Sequence, residues 1–162
     1  MSKPLKTILN FQNIAIIALI AIFFVADRFL KTLALNSQMS APKNLIADII
    51  LFSFKENYQM ALSLPWGGLS LLIAATLVTL IVFYLIIKNI YQEKRLSISA
   101  LLLTIVLFGA ISNLIDRYSH GFVIDYLEIK NLTIFNLADA MITVPTIFLL
   151  IYTLKNEHRK KN

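Results

Sequence analysis

Four long apolar segments constrain this chain more than any other feature of its sequence. They cover residues 7–26, 69–87, 96–115 and 131–154, and the only charged residue inside them is Asp139. A helix of about 20 mainly apolar residues spans a hydrocarbon core roughly 30 Å thick, and it satisfies its own backbone groups in lipid. The sequence therefore predicts an all-α membrane protein, a single integral membrane domain over residues 1–162, with transmembrane helices at about 11–35, 69–87, 96–116 and 131–154.

Composition excludes a soluble domain and narrows the available chemistry. Only 15% of the residues are charged, whereas a soluble domain is typically about 25% charged. The chain has no cysteine, which removes disulfides, thiolate nucleophiles and cysteine-ligated metal centres. His120 and His158 are predicted on opposite sides of the membrane, so neither a histidine metal site nor a Ser/His/Asp triad is expected. We expect no metal and no cofactor.

The basic residues predict the orientation of the helices. Nine of the 15 Lys and Arg residues lie in the amino terminus, the connection after the second segment and the carboxy-terminal tail. Basic residues favour the cytoplasmic side, so we predict both termini there and the connections 36–68 and 117–130 outside. This topology accounts for the net charge of +6 without a nucleic-acid partner. The first segment lacks a small-residue cleavage site, so we expect a retained helix rather than a signal peptide.

Both outer connections contain short stretches typical of β-strands. Residues 49–54 are rich in β-branched and aromatic side chains, and residues 122–127 follow a turn-like glycine, Gly121. The sequence therefore predicts a small extracytoplasmic β-containing region between helices 1 and 2, with a further extended piece after helix 3.

Four aspartates converge on the outer side in this topology. Asp27 and Asp116 lie at the outer ends of the first and third helices, Asp125 lies in the following loop, and Asp139 lies about two turns into the fourth helix. An ionised carboxylate in a transmembrane segment costs on the order of 2.5–3.5 kcal/mol. Asp139 is therefore a candidate functional residue.

The polar residues around these aspartates also have a purely structural interpretation. Spacings of three or four residues, which place side chains on one helix face, recur in three sets: Asp27 with Lys31, Asn113 with Asp116 and Arg117, and Asn136 with Asp139. An ion pair would account for the first set, a polar cap at the membrane interface for the second, and interhelical hydrogen bonds for the third.

Two of the aspartates are sufficient for one kind of hydrolysis. Two carboxyl groups within hydrogen-bond distance share one proton, so that the ionised group can take a proton from water while the protonated group donates to a carbonyl oxygen. This is the chemistry of aspartic proteases, and it needs no cofactor. We predict Asp125 and Asp139 as the pair, one from an outer loop and one from a helix.

Five motifs in a fixed order carry a resemblance to a known family. They are DRFLK at 27–31, NYQMALS at 57–63, NLIDR at 113–117, GFVIDY at 121–126 and FNLADA at 135–140. Their order, the chain length and the four predicted helices resemble lipoprotein signal peptidase (signal peptidase II), a family of bacterial membrane aspartic proteases. The resemblance covers nearly the whole chain.

The resemblance implies an endopeptidase that cleaves diacylglyceryl-modified prolipoproteins just before the lipidated cysteine. It implies a location in the bacterial inner membrane with the active site at the outer leaflet, and prolipoproteins and membrane lipid as partners of what we expect to be a monomer. It also implies a β-cradle and a mobile amphipathic helix over the site. Asp125 and Asp139 fall on the family's catalytic pair. Its substrate-binding or supporting positions fall on Asp27, Lys31, Asn57, Ala61, Asn113, Asp116, Arg117 and Asn136.

The chain departs from the family pattern at five positions: Gln59, Leu62, Phe108, Ser112 and Pro145. The first two are expected to alter the outer loop near the substrate, and the next two to enlarge a tightly packed helix face. The proline is expected to kink the fourth helix. None of these departures removes a catalytic group.

Two other functions remain compatible with the sequence. A divergent relative would bind lipidated precursors without cleaving them, and the departures are the only feature that favours it. A small proton-coupled transporter would also use membrane carboxylates. A proton relay should continue across the membrane, however, and the second and third segments contain no Asp, Glu, His, Lys or Arg.

Overall fold

The computed structural model describes residues 11–36, 42–47, 49–59 and 67–161, the last with side chains to residue 156. It contains four helices and four strands, in the order α1 (Phe11–Asn36), β1 (Lys43–Ile46), β2 (Ile50–Asn57), α2 (Gly68–Glu93), α3 (Ile98–His120), β3 (Val123–Ile129), β4 (Thr133–Phe135) and α4 (Leu137–Lys161). Ala61 and Leu62 lie outside the described residues. The implied amphipathic helix is not among the described residues of the first outer connection, which form strands.

All four helices are long and apolar enough to cross a membrane. Their most apolar windows have mean hydropathies from 1.8 to 2.7, and in each no more than a third of the residues are buried inside the protein. Large apolar side chains on the outer faces, such as Val78 and Ile81 on α2, are more than half exposed. Such a surface is suited to lipid rather than to water.

Helix α3 is the centre of the bundle, because it packs against each of the other three helices. It approaches α4 closely at Gly109, where an added Cβ would lie 2.7 Å from the backbone oxygen of Ala138. Small residues let transmembrane helices approach in this way. Phe108, one of the departures, packs edge-to-face against Phe24 of α1, with ring centroids 5.5 Å apart.

The fourth helix begins later than the sequence suggested. Residues 133–135 form β4, and α4 starts at Leu137, so the predicted start at residue 131 was wrong. Asp139 is consequently the third residue of the helix rather than two turns inside it. Hydropathy misled here because the Thr133–Phe135 stretch is apolar yet β-branched and aromatic, which suits a strand. The helix continues across Pro145 to Lys161.

The strands form one antiparallel sheet in the order β1-β2-β3-β4. The two predicted extended stretches are confirmed as parts of β2 and β3. Because β3 and β4 come from the connection between α3 and α4, the sheet is not confined to the connection between helices 1 and 2. It packs on one end of the bundle through a buried cluster of Ala34, Ile124 and Tyr126.

An irregularity in β2 sets which side chains face each other across the sheet. Phe52 pairs with Leu127, but Lys55 rather than Phe54 pairs with Asp125. One extra residue on β2 is the signature of a β-bulge, which reverses the facing of the side chains beyond it. Asn57 lies two residues beyond Lys55 on β2, so its side chain lies on the same face of the sheet as that of Asp125.

Candidate active site

Asp125 is buried on β3 and held by two amide side chains. Its side chain accepts hydrogen bonds from Asn136 Nδ2 at 2.7 Å and from Asn57 Nδ2 at 2.9 Å. Asn57 is itself fixed by a local turn, since its Oδ1 accepts a hydrogen bond from the backbone N–H of Gln59 at 3.0 Å. The turn and the bulge together direct the Asn57 amide at Asp125.

Asp139 is held at the amino-terminal end of α4 by a reciprocal cap. Its backbone N–H donates to Asn136 Oδ1 at 2.9 Å, and its own Oδ2 accepts from the backbone N–H of Asn136 at 3.3 Å. This is the pattern of a capping box, which satisfies two otherwise unpaired helix donors. The other carboxylate oxygen accepts from Asn113 Nδ2 at 2.8 Å.

Asn136 is therefore the link between the two carboxylates. Its side-chain amide contacts Asp125 and its backbone and side-chain oxygen contact Asp139. Within the described residues, neither aspartate forms a direct ion pair; all four of these ligands to the carboxylate oxygens are N–H groups of asparagines. Such donors orient a carboxylate without neutralising it.

The electrostatic consequence is visible at Asp125. Burial raises its pKa to about 6, and the neighbouring charge of Asp139 acts in the same direction. The hydrogen bonds from its two asparagines oppose the shift and do not overcome it. Two nearby carboxyl groups cannot both ionise cheaply, so a proton is readily retained by the pair.

A charge cluster lies beside the two aspartates and is formed by the buried Asp27, Lys31 and Asp116 and the partly exposed Arg28. Lys31 Nζ lies 2.7 Å from Asp116 Oδ2 and 3.2 Å from Asp27 Oδ2, which confirms the predicted Asp27–Lys31 ion pair. Arg28 forms a second ion pair with Asp116. Two cations balance two carboxylates, which limits the cost of burying them.

This charge cluster is connected to both aspartates. Lys31 Nζ donates to Asn113 Oδ1 at 2.8 Å, which turns the Asn113 amide group toward Asp139. Asp116 Oδ2 accepts from the backbone N–H of Ile124 at 3.2 Å and so fixes the start of β3. The cluster thus positions the elements on either side of the site.

Ser112, another of the departures, belongs to the charge cluster. It is fully buried, and its hydroxyl donates to Asp27 Oδ2 at 2.5 Å and accepts from Lys31 Nζ at 3.4 Å. The buried hydroxyl group is therefore fully compensated by polar partners.

Polar side chains line a cavity of about 590 Å³ that reaches Asp125 along the sheet. Its walls include Lys55 and Asn57 on β2, Glu128 on β3 and Thr133 on β4. At the edge of the site, the half-buried Arg117 donates to the backbone oxygen of Gln59 at 3.4 Å. The cavity has the volume for a short stretch of peptide next to Asp125.

Most of the predicted site residues come together around Asp125 and Asp139: Asp27, Lys31, Asn57, Asn113, Asp116 and Asn136. Arg117 lies at the rim, and Ala61 is not described. Sequence analysis missed Arg28 and Tyr126; each directly follows a predicted site residue, Asp27 and Asp125, and this position was the available signal. Within the residues that the structure describes, no group of three or more His, Cys, Asp and Glu side chains is arranged to hold a metal ion.

Known proteins are similar to this chain in sequence and in fold. Residues 19–155 match the family model described as signal peptidase (SPase) II. Proteins named lipoprotein signal peptidase are similar along most of their length, including one from Syntrophomonas wolfei (33% identity, 85% of this chain and 91% of the relative) and one from Clostridium tetani (32% identity, 87% and 93%).

Solved structures share the fold. A bacterial membrane enzyme determined at 2.3 Å resolution superimposes with a TM-score of 0.77 and 19% identity, over 90% of this chain and 91% of that one. A second, at 1.9 Å resolution, gives a TM-score of 0.71. The extent of the match to the family model, together with relatives above 30% identity over most of the chain, shows that this multi-pass membrane protein belongs to the signal peptidase II family of proteases.

Proposed function

We propose that Asp125 and Asp139 are the catalytic dyad with which this chain removes signal peptides from prolipoproteins, the activity of its family. The observation that carries the assignment is the arrangement around Asn136, which holds the buried Asp125 and the half-buried Asp139 in one site, with no cation of the described residues bonded to either. A structural ion pair would neutralise an aspartate, whereas this environment favours retention of a shared proton.

The dyad would work by acid–base catalysis with one proton shared between its members. The ionised aspartate takes a proton from a water molecule, whose oxygen attacks the carbonyl carbon of the scissile peptide bond. The protonated aspartate donates its proton to the carbonyl oxygen, giving a neutral tetrahedral diol. The diol then collapses: the C–N bond breaks, the nitrogen leaves with the proton first taken from water, and one diol hydroxyl returns its proton to the other aspartate as the new carboxyl group forms.

The substrate is a diacylglyceryl-modified prolipoprotein that enters from the lipid. Both the signal-peptide helix and the acyl chains are more stable in lipid, at about 0.8 kcal/mol for each buried methylene. The chain near the scissile bond must be extended for water to reach it, and the cavity along β2 and β3 offers room for an extended segment. The lipid therefore serves to place the bond next to the dyad.

We further propose a monomer in the bacterial inner membrane, with both termini cytoplasmic and the dyad at the outer leaflet. The excess of basic residues in the termini and the α2–α3 connection supports this orientation. The transporter alternative is not favoured, because the described buried charges and the half-buried Asp139 gather at one end of the bundle. A proton relay would need to continue to the other end.

The test compares two substrates that differ only in the lipid. The purified protein in detergent is incubated with a diacylglyceryl-modified prolipoprotein and with its unlipidated form, and cleavage is followed by mass spectrometry. We expect cleavage before the lipidated cysteine and little or none of the unlipidated form. Equal rates would replace this function with a general intramembrane protease, and binding without cleavage of either form would favour the non-cleaving alternative.

A further inference from the structure

The hydroxyl group of Tyr126 joins three elements at the active site. Tyr126 is fully buried on β3, directly after Asp125. Its hydroxyl donates to Asp27 Oδ1 at 2.9 Å and accepts a hydrogen bond from the backbone N–H of Leu137 at 3.1 Å. One oxygen atom therefore connects β3 to α1 and to the first residue of α4.

This contact belongs to a complete set of caps on α4. The N–H of Leu137 is satisfied by Tyr126, that of Ala138 by Asp27 Oδ1 at 3.0 Å, and that of Asp139 by Asn136. The first N–H groups of a helix have no partners within the helix, so these external acceptors determine where its first turn sits. A carboxylate at this end also interacts favourably with the helix dipole.

We propose that the Tyr126 hydroxyl is a positioning group that sets the spacing of the two catalytic aspartates, because it fastens the strand that carries Asp125 to the helix turn that carries Asp139. The ring of Tyr126 makes a separate contact: it packs against Phe52, with ring centroids 5.8 Å apart. The positioning role therefore belongs to the hydroxyl and not to the ring. Burial raises the pKa of Tyr126 above its usual value, which keeps the hydroxyl protonated and able to donate.

The inference rests on the proposed function, and Tyr126→Phe tests it. The substitution keeps the ring and removes one oxygen, so that Leu137 loses its acceptor and Asp27 loses a donor. Tyr118→Phe is the matched control, because Thr76, at 2.8 Å and between α2 and α3, is the one hydrogen-bond partner of its exposed hydroxyl among the described residues. Wild-type cleavage of the lipidated substrate must be observed first; its absence would refute the proposed function and not this inference.

We measure kcat, KM and thermal unfolding for both variants with the lipidated prolipoprotein. Tyr126→Phe should lower kcat by about 10- to 100-fold, the usual consequence of misplaced catalytic groups, and change KM by less than about threefold because substrate contacts remain. Tyr118→Phe should stay within about twofold of wild type in both constants. A wild-type kcat in Tyr126→Phe, with or without a lower unfolding temperature, would overturn the inference.

The pH profile separates positioning from a general loss of structure. The charges that act on Asp125 are those of Asp139 on α4, Lys31 on α1 and Arg117 on α3, and Lys55 on β2 is its cross-strand neighbour. If the carboxyl groups move apart, their repulsion weakens and the pair loses its shared proton at lower pH. The alkaline limb of kcat/KM should therefore shift to lower pH in Tyr126→Phe, and a reduced kcat with an unchanged limb would contradict the proposal.

A second variant covers the case in which Tyr126→Phe does not fold. Leu137→Pro removes the N–H that donates to Tyr126 and leaves no unpaired donor, and proline is well tolerated at the first position of a helix. The preceding residue, Asn136, is the helix cap, where extended backbone is usual. This variant should lower kcat in the same way, and a kcat equal to that of wild type would overturn the proposal.

Discussion

At the level of single residues, the site is built from asparagines rather than from cations. Asn57, Asn113 and Asn136 donate to the two aspartates, while Lys31 and Arg28 are bound to other carboxylates one layer away. An amide donor orients a carboxylate with only a small effect on its charge, whereas a bonded cation would hold it ionised. Lys31 instead orients the amide of Asn113, and both cations hold Asp116. Asp116 in turn accepts a hydrogen bond from the backbone N–H of Ile124, next to Asp125.

The raised pKa of Asp125 predicts a pH-dependent cost to stability. A carboxyl group whose pKa rises from 3.8 to about 6 on folding makes its full contribution to stability below about pH 4, and this contribution declines above that pH and is lost as the pH rises through 6. The full effect is on the order of 3 kcal/mol, from about 1.4 kcal/mol for each pKa unit. Asp125→Asn should therefore gain stability relative to wild type as pH increases.

Thermal unfolding in detergent between pH 4 and pH 8 measures this effect. The difference in Tm between Asp125→Asn and wild type should grow across this range, whatever its value at pH 4, where the altered hydrogen bonds with Asn57 and Asn136 dominate. A Tm difference that stays constant with pH would show that Asp125 ionises in the folded protein as it does in the unfolded chain.

At the level of elements, hydropathy predicts where helices cross lipid and fails where they meet water. The predicted second helix ended at residue 87 and the observed α2 continues to Glu93, because polar residues can extend a helix beyond the apolar core. The start of α4 was misplaced for the opposite reason, since an apolar strand precedes it. The bulge in β2 and the Tyr126–Asp27 hydrogen bond join residues far apart in sequence, so local patterns could not predict them.

The close approach of α3 and α4 gives a prediction at this scale. Gly109→Ala would place a Cβ 2.7 Å from the Ala138 backbone oxygen, so one helix must move. Asn113 lies one turn further along α3 and bonds to Asp139, the neighbour of Ala138, so the shift should weaken that contact. We expect about a tenfold lower kcat and a lower unfolding temperature.

Val78→Ile is the control for Gly109→Ala, because it also adds one carbon atom, on an α2 side chain that is 58% exposed. It should leave both the activity and the unfolding temperature close to those of wild type. If Gly109→Ala behaves like Val78→Ile, the α3–α4 contact does not position the dyad.

At the level of the whole molecule, the two ends of the helix bundle differ, because the polar site lies at one end and the sides of the bundle are apolar. The dyad and the charge cluster lie at the end of the bundle that carries the sheet, where β3 follows α3 and β4 precedes α4. The outer faces of the helices are apolar and exposed, as expected for contact with lipid. A substrate that arrives within the membrane therefore meets the polar site only near one surface.

Labelling of single cysteines tests the proposed orientation. The chain contains no cysteine, so Ser119→Cys, at the sheet end of α3, and Gln92→Cys, at the opposite end of α2, each give one reactive position on an exposed residue. An impermeant thiol reagent added to intact cells should label the first and not the second. The reverse pattern would place the dyad on the cytoplasmic side.

The central claim, that Asp125 and Asp139 form one catalytic unit, is tested most directly by the turnover of the lipidated prolipoprotein by Asp125→Asn, Asp139→Asn and the double variant. Thermal unfolding of each purified variant confirms that it is folded. Because each aspartate supplies half of a proton exchange, each single substitution should abolish cleavage, and the double variant should be little worse than either. Turnover close to that of wild type in either folded single variant would contradict the account.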